Sequence, residues 1–204
     1  CGALSLHAGR EEEAQRFARL AIARLEGEEV DAIVVNAAGC GSAMKHWSRL
    51  LRDDAEWRAR AERIEAKIKD VSEFLAELGP VAPRQKVALR VAYHDACHLS
   101  HGQKLRAEPR ALLRAIPGIE LVDVPDAEQC CGSAGIYNLL EPESAQQIGR
   151  RKAENILSVK PELLVSANPG CTLQIQSQLG AAGASIRTAH IVQLLDASIR
   201  GTSI

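Results

Sequence analysis

The residues of this chain with the greatest capacity for chemistry are its six cysteines, because thiolates bind metals and act as redox nucleophiles. Four of them lie between residues 97 and 171: Cys97, the adjacent Cys130 and Cys131, and Cys171. Four thiolates are the number that an iron–sulfur cluster takes from its protein. Zinc also accepts four, but structural zinc sites usually contain close Cys-x-x-Cys pairs, and this sequence has none. The spacing favours a metal or cluster site, with one ligand and one buried structural thiol in the adjacent pair as the alternative.

The segments around these cysteines alternate between predicted strands and predicted helices. Short apolar runs bounded by turn residues predict strands, and longer amphipathic segments predict helices. The predicted strands are residues 31–36, 87–91, 119–124 and 162–167, with a further one near Ile186. The predicted helices are residues 10–26, 55–78, 142–157 and 191–199, with shorter ones from near Pro109 and up to Leu179. This alternation predicts an α/β fold with a mostly parallel, doubly wound sheet.

The cysteines occupy one recurring position in this predicted pattern. Cys40, Cys97, the Cys130–Cys131 pair and Cys171 each fall just after a predicted strand and just before a helix. Ligands bind at that edge of open α/β sheets, and helix N-termini there stabilise thiolates. The placement therefore predicts one kind of ligand site built from cysteines.

An internal repeat relates the two halves of the sequence. Cys1 precedes a helix and a strand that lead to Cys40, 39 residues on, and Cys131 precedes the same elements leading to Cys171, 40 residues on. Both copies begin with Cys-Gly and end with Gly-Cys shortly after an asparagine. The second copy is complete, whereas the first lacks its opening strand and first cysteine. With Met44 as its only methionine, the chain is expected to be the C-terminal part of a longer protein in which a cysteine precedes Cys1.

Composition and charge exclude several classes of protein. The chain has 25 basic and 26 acidic residues, so its net charge does not indicate binding to nucleic acid or to an acidic membrane surface. No apolar run approaches the roughly 18–20 residues of a membrane-spanning helix. Secreted disulfide scaffolds are short and loop-rich, whereas this sequence contains long amphipathic helices. We therefore expect an intracellular, cytoplasmic protein whose thiols are reduced.

A long apolar stripe sets the expected division of the chain. Trp57, Ile64 and Leu75 belong to a series of apolar residues spaced by three and four, which predicts a single helix over residues 55–78. This helix is interpreted as a connector, so the expected domains are residues 1–79 and 80–204.

Three segments resemble the cysteine-rich CCG domain, which occurs in pairs in heterodisulfide reductases and related oxidoreductase subunits: His94–Leu99, Cys130–Gly135 and Asn168–Cys171. Within that superfamily the chain is most similar to the iron–sulfur subunits of glycolate oxidase (glycolate dehydrogenase). The features that carry this similarity are Cys1–Leu4, His7, Gly9, Val35–Gly41, Asp70–Leu75, His98–Gln103, Ile116–Gly118, His190 and Leu194–Asp196.

The resemblance implies a pair of CCG domains with mostly parallel, doubly wound α/β sheets, the first repeat being incomplete. Residues 1–79 would be the C-terminal part of the first CCG domain plus the connector helix, and residues 80–204 the second CCG domain. An iron–sulfur cluster, of the 4Fe-4S type, is the implied cofactor. The implied metal ligands are Cys97, Cys130, Cys131 and Cys171 in the second domain and Cys1 and Cys40 in the first.

The resemblance also implies a division of labour between subunits. A partner subunit with FAD would oxidise glycolate to glyoxylate, and this subunit would pass electrons toward a membrane quinone or another carrier, at the inner face of the cell membrane. The fragment alone would have no catalytic residues, and nucleic acid would not be a partner. Equivalent subunits of lactate-utilisation and anaerobic glycerol-3-phosphate dehydrogenase complexes are alternatives.

Two other functions stay open. A thiol/disulfide redox enzyme like heterodisulfide reductase is one, although the reductase motif ends in Cys-x-x-Cys where this chain has Gln174 and Ala43. An ordinary four-ligand cluster is therefore expected instead of a disulfide-cleaving one. A zinc-stabilised or metal-free interaction module is the other, and the repeated cysteine placement disfavours it.

The polar residues near the cysteines have simpler expected roles. His94 and His98 flank Cys97, and a local hydrogen bond in the strand–helix turn is preferred over a role as a ligand or as a donor to a ligand. Asn168 is expected to shape the turn that presents the following thiol. Lys152 is expected on a solvated helix face, with a position facing an anionic cluster or a partner as the alternative.

Overall fold

The computed structural model describes residues 1–204, which form two units, Cys1–Asp70 and Val71–Ile204. All strand pairs in both units are parallel. The predicted α/β class with mostly parallel sheets is therefore confirmed. Val71–Leu78, which the expected boundary placed with the first domain, belongs to the second unit. None of the helices is long and apolar enough to cross a lipid bilayer.

The first unit is mainly helical and contains a two-stranded sheet. Ile33 pairs with Ile68 and Val35 with Asp70 in parallel register. Its elements are, in chain order, α1 (Ala3–His7), α2 (Glu11–Leu25), β1 (Ile33–Val35), α3 (Ala38–Met44), α4 (Trp47–Leu50), α5 (Ala55–Glu65) and β2 (Ile68–Asp70).

Trp47 anchors the core of the first unit. Its side chain is fully buried, and its indole Nε1 donates a hydrogen bond to the carbonyl oxygen of Cys1 at 3.0 Å. Ala14, Ala18 and Ile22 pack in the same core, because their spacing of four residues places them on one face of α2. Because Trp47 lies in this core and binds the carbonyl oxygen of Cys1, the packing of the core also fixes the backbone at Cys1.

The single helix predicted over residues 55–78 is wrong. Helix α5 ends at Glu65, and the chain then forms strand β2 before a separate helix begins at Val71. Ile68 fits the helical spacing of the sequence, but it lies in the strand beside Ile33 and is buried in the core of the first unit. A strand of three residues contributes one or two apolar positions, so it does not interrupt a helical pattern visibly.

The second unit contains a four-stranded parallel sheet flanked by helices. The elements of this unit are α6 (Val71–Leu78), β3 (Leu89–His94), a π-helical turn (His98–Gly102), α7 (Ala107–Arg114), β4 (Ile119–Val122), α8 (Tyr137–Leu140), α9 (Pro142–Ser158), β5 (Leu163–Ser166), α10 (Pro169–Ala181), β6 (Arg187–His190) and α11 (Ile191–Arg200). The strand order in the sheet is β4-β3-β5-β6.

Both faces of this sheet are buried. Val91 and Val165 belong to a core that also contains residues of α6, α7 and α11. Ala92 and Leu164, which are also fully buried, point to the opposite face because side chains alternate along a strand. Helices α9 and α10 pack against each other as a second layer. This arrangement explains why the strands read as continuous apolar runs in the sequence.

The order of the strands creates a crevice at one edge of the sheet. The chain passes from β3 to β4 on one side and then crosses to β5 and β6 on the other, so the direction reverses between the adjacent strands β3 and β5. Such a switch point opens a crevice outside the carboxyl ends of the two strands. The residues that follow His94 and Ser166, the last residues of these strands, therefore flank this crevice.

Candidate metal centre

Cys97 lies after β3, at the first turn beyond the sheet. It directly precedes the π-helical turn, and its Sγ is 3.7 Å from Nδ1 of His98. The sequence predicted that Cys97 lies between a strand and a helix, and the structure confirms this position. The helical element that follows is a short π-helical turn and not an α-helix. Cys97 is half-buried, so its thiol borders both the crevice and the surface.

Cys130 and Cys131 lie in the long loop that follows β4. The expectation that they directly follow a strand and precede a helix is wrong, because β4 ends at Val122 and α8 begins only at Tyr137. A tight turn positions them instead. The backbone N–H of Gly132 donates to Sγ of Cys130 at 3.3 Å, and Gly132 has a φ of 91°, in the left-handed region that favours glycine.

The Gly132 turn is packed directly against α9. A Cβ at this position would lie 2.4 Å from the carbonyl oxygen of Ala145, so only glycine fits. The carbonyl oxygen of Cys131 similarly lies 3.2 Å from the place of a Cβ on Gly149. Two glycines therefore let the cysteine loop approach the backbone of α9 closely.

Lys152, which also lies on α9, binds an earlier part of the same loop. Its side chain is 1% exposed, and Nζ donates to the carbonyl oxygens of Asp126 at 3.2 Å and Ala127 at 2.7 Å. The solvated helix face expected for Lys152 is therefore wrong. Burial lowers the pKa of this ammonium group, while the nearby Asp95, Cys131 and Cys130 favour its charged form. The alternative expected for Lys152, a position near an anionic cluster site, is closer to what the structure shows, because Cys130 and Cys131 act on its charge. The contacts with the loop were not predicted, since the loop has no regular sequence pattern.

Cys171 lies in the first turn of α10 and is buried, at 4% exposure. Asn168, the N-cap residue of this helix, donates from Nδ2 to the Cys171 Sγ at 3.2 Å. The structure thus confirms that Asn168 shapes the turn that presents the thiol. Pro169 at the first helical position fits the same turn, since its fixed φ suits a helix start.

The four sulfurs of the second unit form one continuous network of interactions. Hydrogen bonding to Cys130, followed by burial, raises the pKa of Cys97. Hydrogen bonds to Cys130 and Cys171 likewise raise the pKa of Cys131. The pKa of Cys130 is lowered by hydrogen bonds from Cys131 and Cys97, and that of Cys171 by the hydrogen bond from Cys131 and then by His94 and Asn168. The four thiols are therefore close enough to one another for each to shift the pKa of its neighbours.

This donor set fits an iron–sulfur cluster. Three turns from different parts of the chain bring the sulfurs to one crevice, and all four cysteines are free of disulfides. Thiolate sulfur is the ligand that selects iron–sulfur clusters and zinc over hard cations. Gln174, where related reductases have a further cysteine, points to a different partner: its Oε1 accepts from Asn138 Nδ2 at 3.1 Å. The site therefore offers four thiolates and no fifth.

His94, like Lys152, differs from what the sequence predicted. It is 2% exposed, and neither ring nitrogen has a hydrogen-bond partner, so the expected local hydrogen bond is not present. Its ring nitrogen and the sulfurs of Cys131 and Cys171 all lie within 4.8 Å of one another. The only feature of the sequence that indicated a place for His94 in this site was its position three residues before Cys97.

The first unit holds the remaining two cysteines. Cys1 is exposed and Cys40 half-buried, and their Sγ atoms are 3.1 Å apart. Gly2 has a φ of 78° and presses against the carbonyl oxygen of Ala14, where a Cβ would lie 2.7 Å away. This is the arrangement that Gly132 adopts against α9 in the second unit. The internal repeat seen in the sequence therefore corresponds to a repeated Cys-Gly turn packed on the following helix.

A buried ion pair fixes the turn between β3 and Cys97. Arg110 donates from Nη1 and Nη2 to the two carboxylate oxygens of Asp95 at 2.5 and 2.6 Å, and the Asp95 side chain is 5% exposed. Hydrogen bonding to Asp95 raises the pKa of Arg110. The fork-like contact on both oxygens ties α7 to the turn that carries Cys97.

We expect Asp95→Asn to destabilise the second unit by about 3 kcal/mol, because it leaves the Arg110 guanidinium without its buried counter-charge. Urea unfolding followed by circular dichroism measures this change. The matched control is Asp196→Asn, which removes an exposed pair with Arg200 and should cost less than about 1 kcal/mol. Similar losses in the two variants would contradict a structural role for the Asp95–Arg110 pair.

Comparison with known proteins places this geometry in context. Residues 1–45 and 91–176 match the model of one protein family, the CCG cysteine-rich domain. The matched residues include all six cysteines. The match in two segments agrees with the repeated Cys-Gly turns of the two units.

Several curated proteins are similar over nearly the whole chain. A probable glycolate oxidase iron-sulfur subunit of Bacillus subtilis is 39% identical over 96% of this chain, which covers 45% of that protein. The glycolate oxidase iron-sulfur subunit of Escherichia coli is 35% identical over 98% of this chain, covering 48% of it. Lactate utilization protein A of Geobacillus thermodenitrificans is 31% identical over 82% of this chain, covering 71% of it. The chain spans about half the length of the two glycolate oxidase subunits.

Proposed function

Because this chain belongs to the CCG cysteine-rich domain family, we propose that it is part of an iron–sulfur electron-transfer subunit of an oxidoreductase complex. The observation that carries the proposal is the meeting of four sulfurs, from Cys97, Cys130, Cys131 and Cys171, at the crevice of a parallel sheet. These four residues are the proposed ligands of one 4Fe-4S cluster. Cys1 and Cys40 are the proposed ligands contributed by the first unit.

A bound cluster would accept and release one electron at a time. The chain's own residues prepare the site for it: the turns at Gly132 and Asn168 hold the thiols in place before any metal arrives. Burial lowers the pKa of Lys152, whereas the nearby Cys130 and Cys131 favour its charged form, and in that form it would oppose the negative charge that four thiolates bring together. Burial of Cys131 and Cys171 keeps water from one side of the site, while the half-buried Cys97 and Cys130 lie toward the surface.

The similarity to glycolate oxidase iron-sulfur subunits supports glycolate as the substrate of the whole complex. In this proposal an FAD-containing partner subunit oxidises glycolate to glyoxylate, and the cluster passes the electrons toward a quinone or another carrier. Lactate is the alternative substrate, favoured by the similarity to lactate utilization protein A. Adding glycolate or lactate to the whole complex under anaerobic conditions distinguishes these two substrates, because only the true substrate should reduce the cluster.

We expect the anaerobically reconstituted chain to bind about four irons and four sulfides in the second unit. Iron and sulfide analysis together with electron paramagnetic resonance (EPR) of the reduced protein measures this. Stoichiometric zinc with no iron or sulfide after reconstitution would contradict the proposal and favour an interaction module stabilised by zinc. Reduction of a dye by the chain alone with glycolate would contradict the assignment of substrate oxidation to a partner subunit.

A further inference from the structure

His94 is a buried polar residue whose side chain forms no hydrogen bond in the fold. Its ring is 2% exposed, and Nδ1 and Nε2 both have no hydrogen-bond partner. A neutral imidazole carries one N–H, and leaving a buried donor unpaired costs about 1–3 kcal/mol. A stable fold rarely retains such a group unless a ligand or another atom completes its hydrogen bonding.

The position of His94 in the sheet fixes where its ring points. It is the last residue of β3, and its backbone pairs with Ser166, the last residue of β5. The two strands flank the switch point, so the His94 ring lies at the base of the crevice. There its nitrogen lies within 4.8 Å of the sulfurs of Cys131 and Cys171, which are buried with it.

The sulfurs of Cys131 and Cys171 are acceptors that lie close to the His94 ring. Of the two, Cys171 is presented by the turn that follows β5, the strand whose last residue pairs with His94. The proximity of His94 contributes to the lowered pKa of Cys171, after the hydrogen bond from Cys131. Both observations place the imidazole N–H toward Cys171.

We propose that His94 donates an N–H···S hydrogen bond to the cluster ligand Cys171 and thereby raises the reduction potential of the cluster. The inference rests on the proposed function, since it requires a cluster in the second unit. A hydrogen bond to a ligand sulfur stabilises negative charge, and reduction adds one negative charge to the cluster. The reduced state therefore gains more from the hydrogen bond than the oxidised state. His94 is a positioning and tuning residue in this role, not a ligand.

The test compares two variants with a matched control in the full 204-residue chain after anaerobic reconstitution. His94→Leu removes the donor and keeps an apolar side chain of similar size. His94→Gln retains an amide N–H that can donate to sulfur. The control is His101→Leu, because His101 lies in the neighbouring π-helical turn with half of its side chain exposed.

We expect all three variants to retain their iron. In His94→Leu the equilibrium constant for one-electron reduction should fall roughly tenfold, which is a shift of about 59 mV to lower potential. His94→Gln should recover part of this shift, and His101→Leu should match the wild type. In the wild-type protein labelled with ¹⁵N-histidine, pulsed EPR should detect a weak nitrogen coupling that His94→Leu lacks.

Several results would overturn the inference. An unchanged potential in His94→Leu with full iron content would refute it while leaving the proposed function intact. Loss of iron from both folded His94 variants, with a strong nitrogen coupling in the wild type, would make His94 a ligand instead. If His94→Leu does not fold, the absence of any histidine coupling in the wild type would decide against the hydrogen bond. A wild-type chain that binds no iron would refute the proposed function and this inference together.

Discussion

Replacing Cys171 by Ser is expected to remove most of the iron that the reconstituted chain binds. Cys171 is buried in the first turn of α10 and held by Asn168, so no other thiol can move into its place. A serine oxygen is a harder and much weaker ligand for an iron–sulfur cluster than a thiolate. Replacing Cys131 by Ser should have the same effect, because its sulfur lies between those of Cys130 and Cys171 in the network.

The loss of the cluster should also lower the stability of the second unit. A cluster held by these cysteines would join the turns after β3, β4 and β5, and its binding free energy would contribute to folding. Iron analysis and thermal unfolding under anaerobic conditions measure the two effects. A Cys171→Ser protein that keeps its iron would show that Cys171 is not a ligand.

The matched control is Cys40→Ser, which should change the iron content little. The first unit contains two cysteines, Cys1 and Cys40, and a four-ligand cluster needs two more. Iron bound by two thiolates has exchangeable outside ligands and should be lost easily. Equal iron losses from Cys40→Ser and Cys171→Ser would contradict separate sites in the two units.

Replacing Gly132 by Ala should lower the iron content and the stability of the second unit nearly as much as Cys171→Ser, although it changes no ligand. The new Cβ would lie 2.4 Å from the carbonyl oxygen of Ala145, and the residue would have to adopt a φ of 91°. Overpacking against backbone and a left-handed conformation together should cost about 3 kcal/mol or more. The turn must then shift, and it carries Cys131 and the amide that donates to Cys130.

Gly183→Ala is the control for the backbone conformation alone. Gly183 has a φ of 71°, but a Cβ there would meet no atom within 4 Å. We expect it to cost about 1 kcal/mol and to leave iron binding intact. Urea unfolding and iron analysis of both variants measure the difference. Normal iron content and stability in Gly132→Ala would show that the turn can relax, and would contradict its role in placing the cysteines.

The sequence by itself determined the class of the fold and the candidate ligands. Each short apolar run that was predicted as a strand contains a strand, because strands buried on both faces, such as β3 and β5, need apolar residues at every position. Cys97 and Cys171 follow these two strands directly, so their position at one sheet edge could be deduced from the chain order. The Cys-Gly repeat was visible for a similar reason: a left-handed turn against a helix excludes every residue except glycine.

Only the tertiary structure decided the features that depend on contacts distant in sequence. The strand Ile68–Asp70 exists because β1 lies beside it, and nothing in its own spacing distinguishes it from a helix. The Cys130–Cys131 turn sits in an irregular loop whose conformation comes from Lys152 and α9, not from a local pattern. The proximity of His94 to Cys131 and Cys171 was likewise decided by tertiary contacts. The sequence neighbours of His94 suggested a local hydrogen bond, but in the sheet its strand pairs with β5 and its ring lies beside the two buried sulfurs of Cys131 and Cys171.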